Sequence, residues 1–363
     1  MESILGYMER YDYENVFLCQ DRTVGLRAVI AIHDTTLGPA TGGTRMWTYT
    51  SEMDAIEDAL RVARGMTYKY AAAGINLGGG KCVVIGDPRT EKNETLFRAL
   101  GRFIHRLGGL YITGEDVGTT LREMEYMRME TPYVVTLPAS WGGAGPIGPA
   151  TAFGVVQGMK ACANAVFGSD SLEGRTVTVQ GLGAVGSEVI PLLAQAGARI
   201  TVADLDADKV SALATRYHVE AVSAGAIAEV AADIFCPCAL GGILNRETVP
   251  QLRVRVVCGS ANNQLGDEED GRRLEARGIL YAPDYIVNAG GTIFDTDRLN
   301  PGGFNRDRAM GNVARIYETM SALIGIARKE RISTAQAADV FAERRIEAVR
   351  KAKALAREAE ARM

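Results

Sequence analysis

The sequence predicts an α/β protein of two domains, one of them a doubly wound parallel sheet. Three observations predict it. From residue 175 onward, β-branched and apolar runs alternate with helical periods, and strands alternating with helices build a parallel sheet. The stretch 141–149 (WGGAGPIGP) is dominated by glycine and proline and suits a hinge between domains. At 363 residues the chain is longer than one hydrophobic core usually serves. The expected division puts 1–140 with a terminal helix at 333–363 in one α/β domain, and 141–332 in the other.

Each element has a local reason. Residues 25–34 (GLRAVIAIHD) are β-branched and apolar, a strand entering the turn Thr36-Leu37-Gly38-Pro39. Residues 51–66 carry Ile56, Leu60 and Ala63 on one side and Glu52, Asp54, Glu57, Asp58 and Arg61 on the others, a helical period. A strand at 82–85 ends at Asp87-Pro88. A helix follows over 94–107 with Asn93 as its cap, then a strand at 110–113. Past the hinge come a helix at 151–166, a strand at 175–180, a helix at 186–196, a strand at 199–203 and a helix at 207–217. Further strands are expected at 234–235, 254–258 and 279–281. Ser333-Thr334-Ala335-Gln336 has the form of a capping box and opens a long charged helix, suited to bracing the first domain or to a subunit contact.

Composition narrows the function. Net charge is −4 and 47% of residues are hydrophobic, which favours neither nucleic acid nor an anionic membrane surface. No apolar run reaches the roughly 18 residues of a membrane span. The start, Met1-Glu2-Ser3-Ile4, shows no signal-peptide pattern, so a cytoplasmic location is expected. The six cysteines are scattered without a CxxC pair, and even Cys236-Pro237-Cys238 reads best as structural thiols. His33, His105 and His218 show no ligand spacing, so no metal site is expected.

Val177-Thr178-Val179-Gln180-Gly181-Leu182-Gly183-Ala184-Val185-Gly186 reads as a strand, a glycine turn and a helix start. Gly181 permits the tight turn, Gly183 lets a pyrophosphate approach the backbone, and Gly186 lets helix and strand pack closely. The free N–H groups and dipole of the helix start favour negative charge. Asp204 follows Gly181 by 23 residues at the end of the next strand. A carboxylate there accepts a ribose 2′-hydroxyl and repels a 2′-phosphate. The pattern predicts a Rossmann-type domain holding NAD rather than NADP.

A second constellation precedes the hinge. Lys69 ends Gly65-Met66-Thr67-Tyr68-Lys69, and Lys81 follows Gly78-Gly79-Gly80. The glycines leave room for a ligand beside the backbone, and Cys82 after Lys81 rules out a P-loop. Two lysines sharing a cleft, and buried in it, would lower each other's pKa; a neutral lysine is a general base and a charged one a carboxylate anchor. Taken alone, either lysine reads better as a solvated surface group. Asp116, in Gly114-Glu115-Asp116-Val117-Gly118, is a catalytic acid or a turn residue. Asn262, Asn263, Gln264 and Asn288 follow strands of the second domain, at the edge where doubly wound sheets bind ligands; turn chemistry favours the same residues.

Taken together these segments resemble the Glu/Leu/Phe/Val amino-acid dehydrogenase family, most of all its leucine dehydrogenases. The resemblance runs through Leu37-Gly38-Pro39-Ala40, 42–49 (GGTRMWTY), 65–81, Glu115 to Thr120, 170–174 (DSLEG), Pro237 to Gly241, Ala261 to Leu265 and Tyr281 to Tyr285. It implies NAD-dependent, reversible oxidative deamination of an L-amino acid to its 2-oxo acid and ammonium. It implies Lys81 as the base that activates water and Asp116 as the proton carrier for the amine. Lys69, Gly42, Gly43 and Asn262 belong at the substrate. Thr151, Gly181, Gly183, Ala184, Val185, Gly186, Asp204, Cys238, Ala239, Leu240, Asn262 and Asn288 belong at the cofactor. It also implies a homo-oligomer, an octamer. A branched-chain, leucine-like substrate comes first. Thr41, Gly114, Thr292 and Asp295 depart from the apolar leucine pocket, so a more polar, basic or aromatic side chain is the alternative. A NAD-binding regulatory protein without turnover is the alternative of another class; the presence of Lys69, Lys81 and Asp116 together speaks against it.

Overall fold

The computed structural model describes residues 3–360. The chain forms two compact units: Met1–Gly145 with Asp295–Phe304 and Ala342–Met363, and Pro146–Phe294 with Asn305–Phe341. The elements of the first are α1 (Ile4–Tyr11), β1 (Asn15–Asp21), β2 (Leu26–Asp34), β3 (Ala40–Trp47), α2 (Glu52–Ala72), β4 (Gly78–Ile85), α3 (Glu94–Arg106), β5 (Tyr111–Glu115) and α4 (Leu121–Arg128). The sheet order is β1-β2-β4-β3-β5; β1, β2 and β4 pair antiparallel, while β3 pairs parallel with both β4 and β5.

The two faces of this sheet differ. Cys82, Val84, Ala40, Met46 and Tyr111 join Phe97, Leu100, Ile104 and Met124 in the core under α3 and α4. Val29, Ala31 and Val83 face Ala55, Ile56, Ala59 and Leu60 of α2. Alternation along each strand then puts Thr41, Gly43, Arg45, Gly79, Lys81, Gly114 and Asp116 on the α2 side. Helix α2 starts where Ser51 accepts the N–H of Asp54 and runs six residues past the expected end. An interior glycine costs about 1 kcal/mol against alanine, but Thr67, Tyr70 and Ala71 beyond Gly65 are all buried, and that packing carries the helix through. Strand β3 was not expected: its two glycines mask a segment fixed by its place between β4 and β5.

The second unit contains α5 (Gly148–Phe167), β6 (Thr176–Gln180), α6 (Gly186–Gln195), β7 (Arg199–Ala203), α7 (Ala207–Tyr217), β8 (Glu220–Ala221), β9 (Ile234–Pro237), β10 (Val256–Val257), α8 (Glu268–Ala276), β11 (Leu280–Tyr281), α9 (Asp284–Val287), α10 (Gly290–Thr296), α11 (Arg306–Ala314), α12 (Ile316–Glu330) and α13 (Thr334–Glu360). Helices α10 and α13 each pass from one unit into the other. The six strands are all parallel in the order β11-β10-β9-β6-β7-β8, the doubly wound arrangement whose switch point lies between β6 and β9. Ser333 and Gln336 exchange capping hydrogen bonds at the head of α13. Farther along, Arg345 donates to the carbonyls of Ala71 and Ile75, and Arg350 pairs with Asp34 at 2.8 Å. Among the described residues no helix is long and apolar enough to cross a membrane.

Candidate active site

Lys81 lies in the middle of β4 and is 2% exposed. Its Nζ donates to Asp116 Oδ2 at 2.5 Å, and Arg45 Nε donates to the same oxygen at 2.9 Å. The contact depends on Gly43. Gly43 pairs with Gly114 across β3 and β5, and a Cβ on it would lie 2.5 Å from the Glu115 carbonyl and 2.8 Å from Asp116 Cβ. Without that side chain, Asp116 leans across β3 to the lysine. Arg45 is held in turn by Asp58 at 2.8 Å, and Tyr49 donates to the same Asp58 oxygen at 2.6 Å. Asp116 Oδ1 accepts no hydrogen bond among the described residues.

Electrostatics follow from this wiring. Burial pushes the Lys81 ammonium below its ordinary value of 10.5; Asp116 pulls it back up and Arg45 pushes it down again, with a net lowering. Burial by itself raises the Asp116 carboxyl, but Lys81 and Arg45 outweigh it and leave Asp116 below the usual carboxylate range. The site therefore keeps an ionised acid beside a lysine that deprotonates more readily than an exposed one. The neighbouring cation that acts on Lys81 is Arg45, where the sequence suggested Lys69. Lys69 lies in the last turns of α2 and is half-buried.

The glycines before Lys81 correct one expectation. They leave no room for a ligand, because protein fills it. A Cβ on Gly78 would overlap the Asp34 carbonyl, one on Gly79 the Ala63 carbonyl and Thr67, and one on Gly80 would come within 2.8 Å of the Tyr111 ring. Gly42 is likewise crowded by the Gly80 carbonyl, and its own carbonyl accepts the Tyr111 hydroxyl at 2.5 Å. Thr41 is fully buried, its hydroxyl 3.3 Å from the Pro39 carbonyl.

Asp295 is buried, 5% exposed, and carries two hydrogen bonds from one residue: Thr136 N–H at 2.9 Å and Thr136 Oγ1 at 2.6 Å. Burial pushes its carboxyl up to about 6. Thr136 itself has φ +55°, a left-handed conformation that a β-branched residue rarely adopts. Gly114 stands directly below: a Cβ there would lie 2.7 Å from Thr136 Oγ1. Thr292 is half-buried on α10, one turn before Asp295.

In the second unit, the Gly181–Gly186 turn joins β6 to α6 at the switch point. Gly181 has φ +90°, and a Cβ on it would lie 2.8 Å from Ala239. A Cβ on Gly186 would overlap the Gly181 carbonyl and lie 3.2 Å from Cys238 Cβ. Cys238, Ala239 and the exposed Leu240 are thus brought from the end of β9 to the turn. Gly183 has open space where its side chain would be, the opening a pyrophosphate needs. Ala184 and Val185 lead into α6. Asp204 accepts the Leu182 N–H at 2.5 Å and the Asp206 N–H at 2.9 Å. The Leu182 bond first and the Asp206 bond second hold its carboxyl below the usual range, so it stays ionised with acceptor capacity to spare. These features fit a dinucleotide.

On the same carboxyl edge of the sheet, Asn288 Nδ2 donates to Asn262 Oδ1 at 2.8 Å and to the Ser260 carbonyl at 3.2 Å. Thr151, in the first turn of α5, donates to the Ile147 carbonyl, and Gly291 packs on its hydroxyl. All six cysteines are thiols; Cys236 and Cys238 approach to 3.4 Å without bonding covalently. Among the described residues no group of His, Cys, Asp and Glu could hold a metal. The sequence reading missed Arg45, Asp58 and Thr136. Arg45 stands inside GGTRMW, but its partners lie 13 and 71 residues away.

Two family models match the chain. The Glu/Leu/Phe/Val dehydrogenase dimerisation domain covers 15–133. The Glutamate/Leucine/Phenylalanine/Valine dehydrogenase model covers 142–209 and 203–296. A leucine dehydrogenase of Geobacillus stearothermophilus is 53% identical over 96% of this chain and 95% of its own length. A phenylalanine dehydrogenase of Caldalkalibacillus thermarum is 47% identical over 93% and 92%. The crystal structure of L-tryptophan dehydrogenase from Nostoc punctiforme superposes with a TM-score of 0.86 at 39% identity, covering 96% of this chain and 100% of that one.

Proposed function

Since this chain belongs to the Glu/Leu/Phe/Val dehydrogenase family and is an amino-acid dehydrogenase, we propose that it deaminates an L-amino acid oxidatively with NAD, giving the 2-oxo acid and ammonium. The observation that carries the reading is the buried Lys81–Asp116 pair at 2.5 Å. The first unit serves the substrate and self-association; the second holds NAD through Gly181, Gly183, Ala184, Val185, Gly186 and Asp204, with Cys238, Ala239 and Leu240 beside the turn.

The dinucleotide's contribution is an acceptor for the hydride of the substrate α-carbon. Lys69 binds the substrate carboxylate. Asp116 Oδ1 takes a proton from the α-amine. Neutral Lys81 then takes a proton from the water that attacks the imine carbon, and Asp116 returns a proton to the departing nitrogen. Asn262 and Asn288 orient the amine and the carboxamide, and Thr151 contacts the latter. The balance is amino acid, water and NAD to 2-oxo acid, ammonium, NADH and one proton.

The relatives' names make a leucine-like side chain the first expectation. The buried Asp295 favours a second reading, a polar, basic or aromatic side chain. Incubating the protein with NAD and the common L-amino acids tests the reaction: NADH and ammonium should appear one for one. NAD binding with no reduction by any amino acid would favour the regulatory alternative. By the family resemblance the protein is a cytoplasmic homo-octamer, which a solution mass near eight times 38.9 kDa checks.

Asp204 supports NAD over NADP. Asp204→Ser removes the charge opposed to a 2′-phosphate, so the NAD:NADP ratio of kcat/KM should fall by roughly tenfold or more, about 1.4 kcal/mol per tenfold. An unchanged ratio would remove Asp204 from the ribose site.

A further inference from the structure

Cys236 and Cys238 are two thiols held in contact beside the dinucleotide turn. Pro237 between them is pinned. It pairs with Gln180 across β9 and β6, and its carbonyl accepts the Ala261 N–H at 3.0 Å. Alternation along the strand puts the two flanking side chains on one face, and their sulfurs lie 3.4 Å apart. A disulfide needs about 2.05 Å, so a modest movement closes the pair.

The two sulfurs are not equivalent. Cys236 is fully buried and Cys238 half-buried. Burial pushes the Cys236 thiol up. Cys238 goes the other way. A hydrogen bond from Cys236, and then those from the Ser260 hydroxyl and N–H, outweigh burial and hold its thiol below the ordinary 9.0. One sulfur is therefore reachable and thiolate-prone, and the other is a neutral thiol in contact with it. A reactive cysteine beside a resolving one has this layout. The other four cysteines are all buried. Cys258 meets Cys162, but burial pushes the Cys258 thiol up as well, and such thiols are inert.

We propose that Cys238 is a modification site for hydroperoxides and that Cys236 resolves it into a reversible disulfide. The Cys238 thiolate attacks a peroxide oxygen. A sulfur–oxygen bond forms, the oxygen–oxygen bond breaks, and the leaving oxygen takes a proton from water. The sulfur is oxidised by two electrons and the peroxide reduced. Cys236 then attacks the sulfenic sulfur. The sulfur–sulfur bond forms, hydroxide leaves, and the Cys236 proton makes it water.

The consequence falls on the turn. A Cβ on Gly186 would lie 3.2 Å from Cys238 Cβ, and Ala239, the next residue, crowds Gly181. The Cys238 N–H is bonded to the Gln180 carbonyl at 2.7 Å. Drawing Cys238 toward Cys236 displaces the residue on which the turn rests, so the disulfide should weaken NAD binding. That step rests on the dinucleotide reading above; the thiol chemistry does not.

Treating the reduced protein with a small excess of hydrogen peroxide tests this. Two of the six thiols should be lost, and mass spectrometry should place the disulfide between 236 and 238. The Kd for NAD should rise by roughly tenfold or more, and dithiothreitol should restore both. NAD at about ten times its Kd should slow the oxidation by roughly tenfold, by mass action. Cys236→Ser should bind NAD as the parent does. After peroxide it should carry a sulfenic acid that dimedone traps, and excess peroxide should inactivate it beyond recovery by dithiothreitol. If that variant does not fold, the position of the bond and the recovery of the parent decide. Six surviving thiols, a disulfide elsewhere, or full recovery of Cys236→Ser overturn the assignment. A 236–238 disulfide with NAD affinity unmoved overturns the coupling to the turn. No NAD binding by the reduced protein overturns the dinucleotide reading and leaves the thiol chemistry standing.

Discussion

Lys81→Ala is expected to lower turnover by roughly 10² to 10⁴-fold, the usual contribution of a general base, while NAD still binds. The two halves of that expectation are independent. The dinucleotide turn, Asp204 and the strand ends around them all belong to the second unit, and Lys81 belongs to the first. The variant should also fold, because Asp116 keeps Arg45 at 2.9 Å and is not left as an unpaired charge. Fluorescence titration of NAD together with steady-state rates separates binding from chemistry. Wild-type turnover in the variant would end the assignment of Lys81.

The pH profile sharpens this. A base must be deprotonated to act, so kcat/KM should rise with pH along a limb set by Lys81, centred below 10.5 because burial lowers it. Asp116 acts in the opposite sense and raises the lysine. Asp116→Asn should therefore move the limb to lower pH while also slowing the reaction. Arg45→Met removes a cation that lowers Lys81 and should move the limb upward. Opposite displacements in the two variants are a signature that general destabilisation does not produce.

How much of this was legible in the sequence depended on how local the cause was. The Gly181–Gly186 turn and Asp204 were legible because a strand, a turn and a helix start impose their glycines within a few residues. The caps at Asn93 and Ser333 were legible for the same reason. Arg45 was not, since its meaning comes from Asp58 and Asp116, brought together only by the sheet and α2. Thr136 gave no signal at all: a β-branched residue carries no turn signature, and its left-handed backbone exists because Asp295 meets it across 159 residues. Strand β3 hid behind its glycines. The three before Lys81 read as room for a ligand, yet they, like Gly42 and Gly43, let strands, helix and carboxylate approach one another.

That distinction makes Gly79→Ala a substitution expected to harm the fold. Its Cβ would enter the backbone of α2 at Ala63 and Thr67, whose hydroxyl is itself bonded to His33 at 2.8 Å. Helix and strand would have to separate, and such overpacking costs about 1–3 kcal/mol or more against a total stability of about 5–15 kcal/mol. A fall in Tm of about 5–10 °C is expected by calorimetry. Lys81 is two residues along the same strand on the same face, so activity should fall as well. Gly183→Ala is the contrast. Nothing lies within 4 Å of its Cβ position and its φ is not left-handed, so the fold should be untouched. The new methyl instead occupies the approach of the pyrophosphate, and the Kd for NAD should rise by roughly tenfold or more. One glycine is there for the protein and the other for its ligand. Equal loss of Tm in both variants, or normal NAD binding by Gly183→Ala, would erase that division.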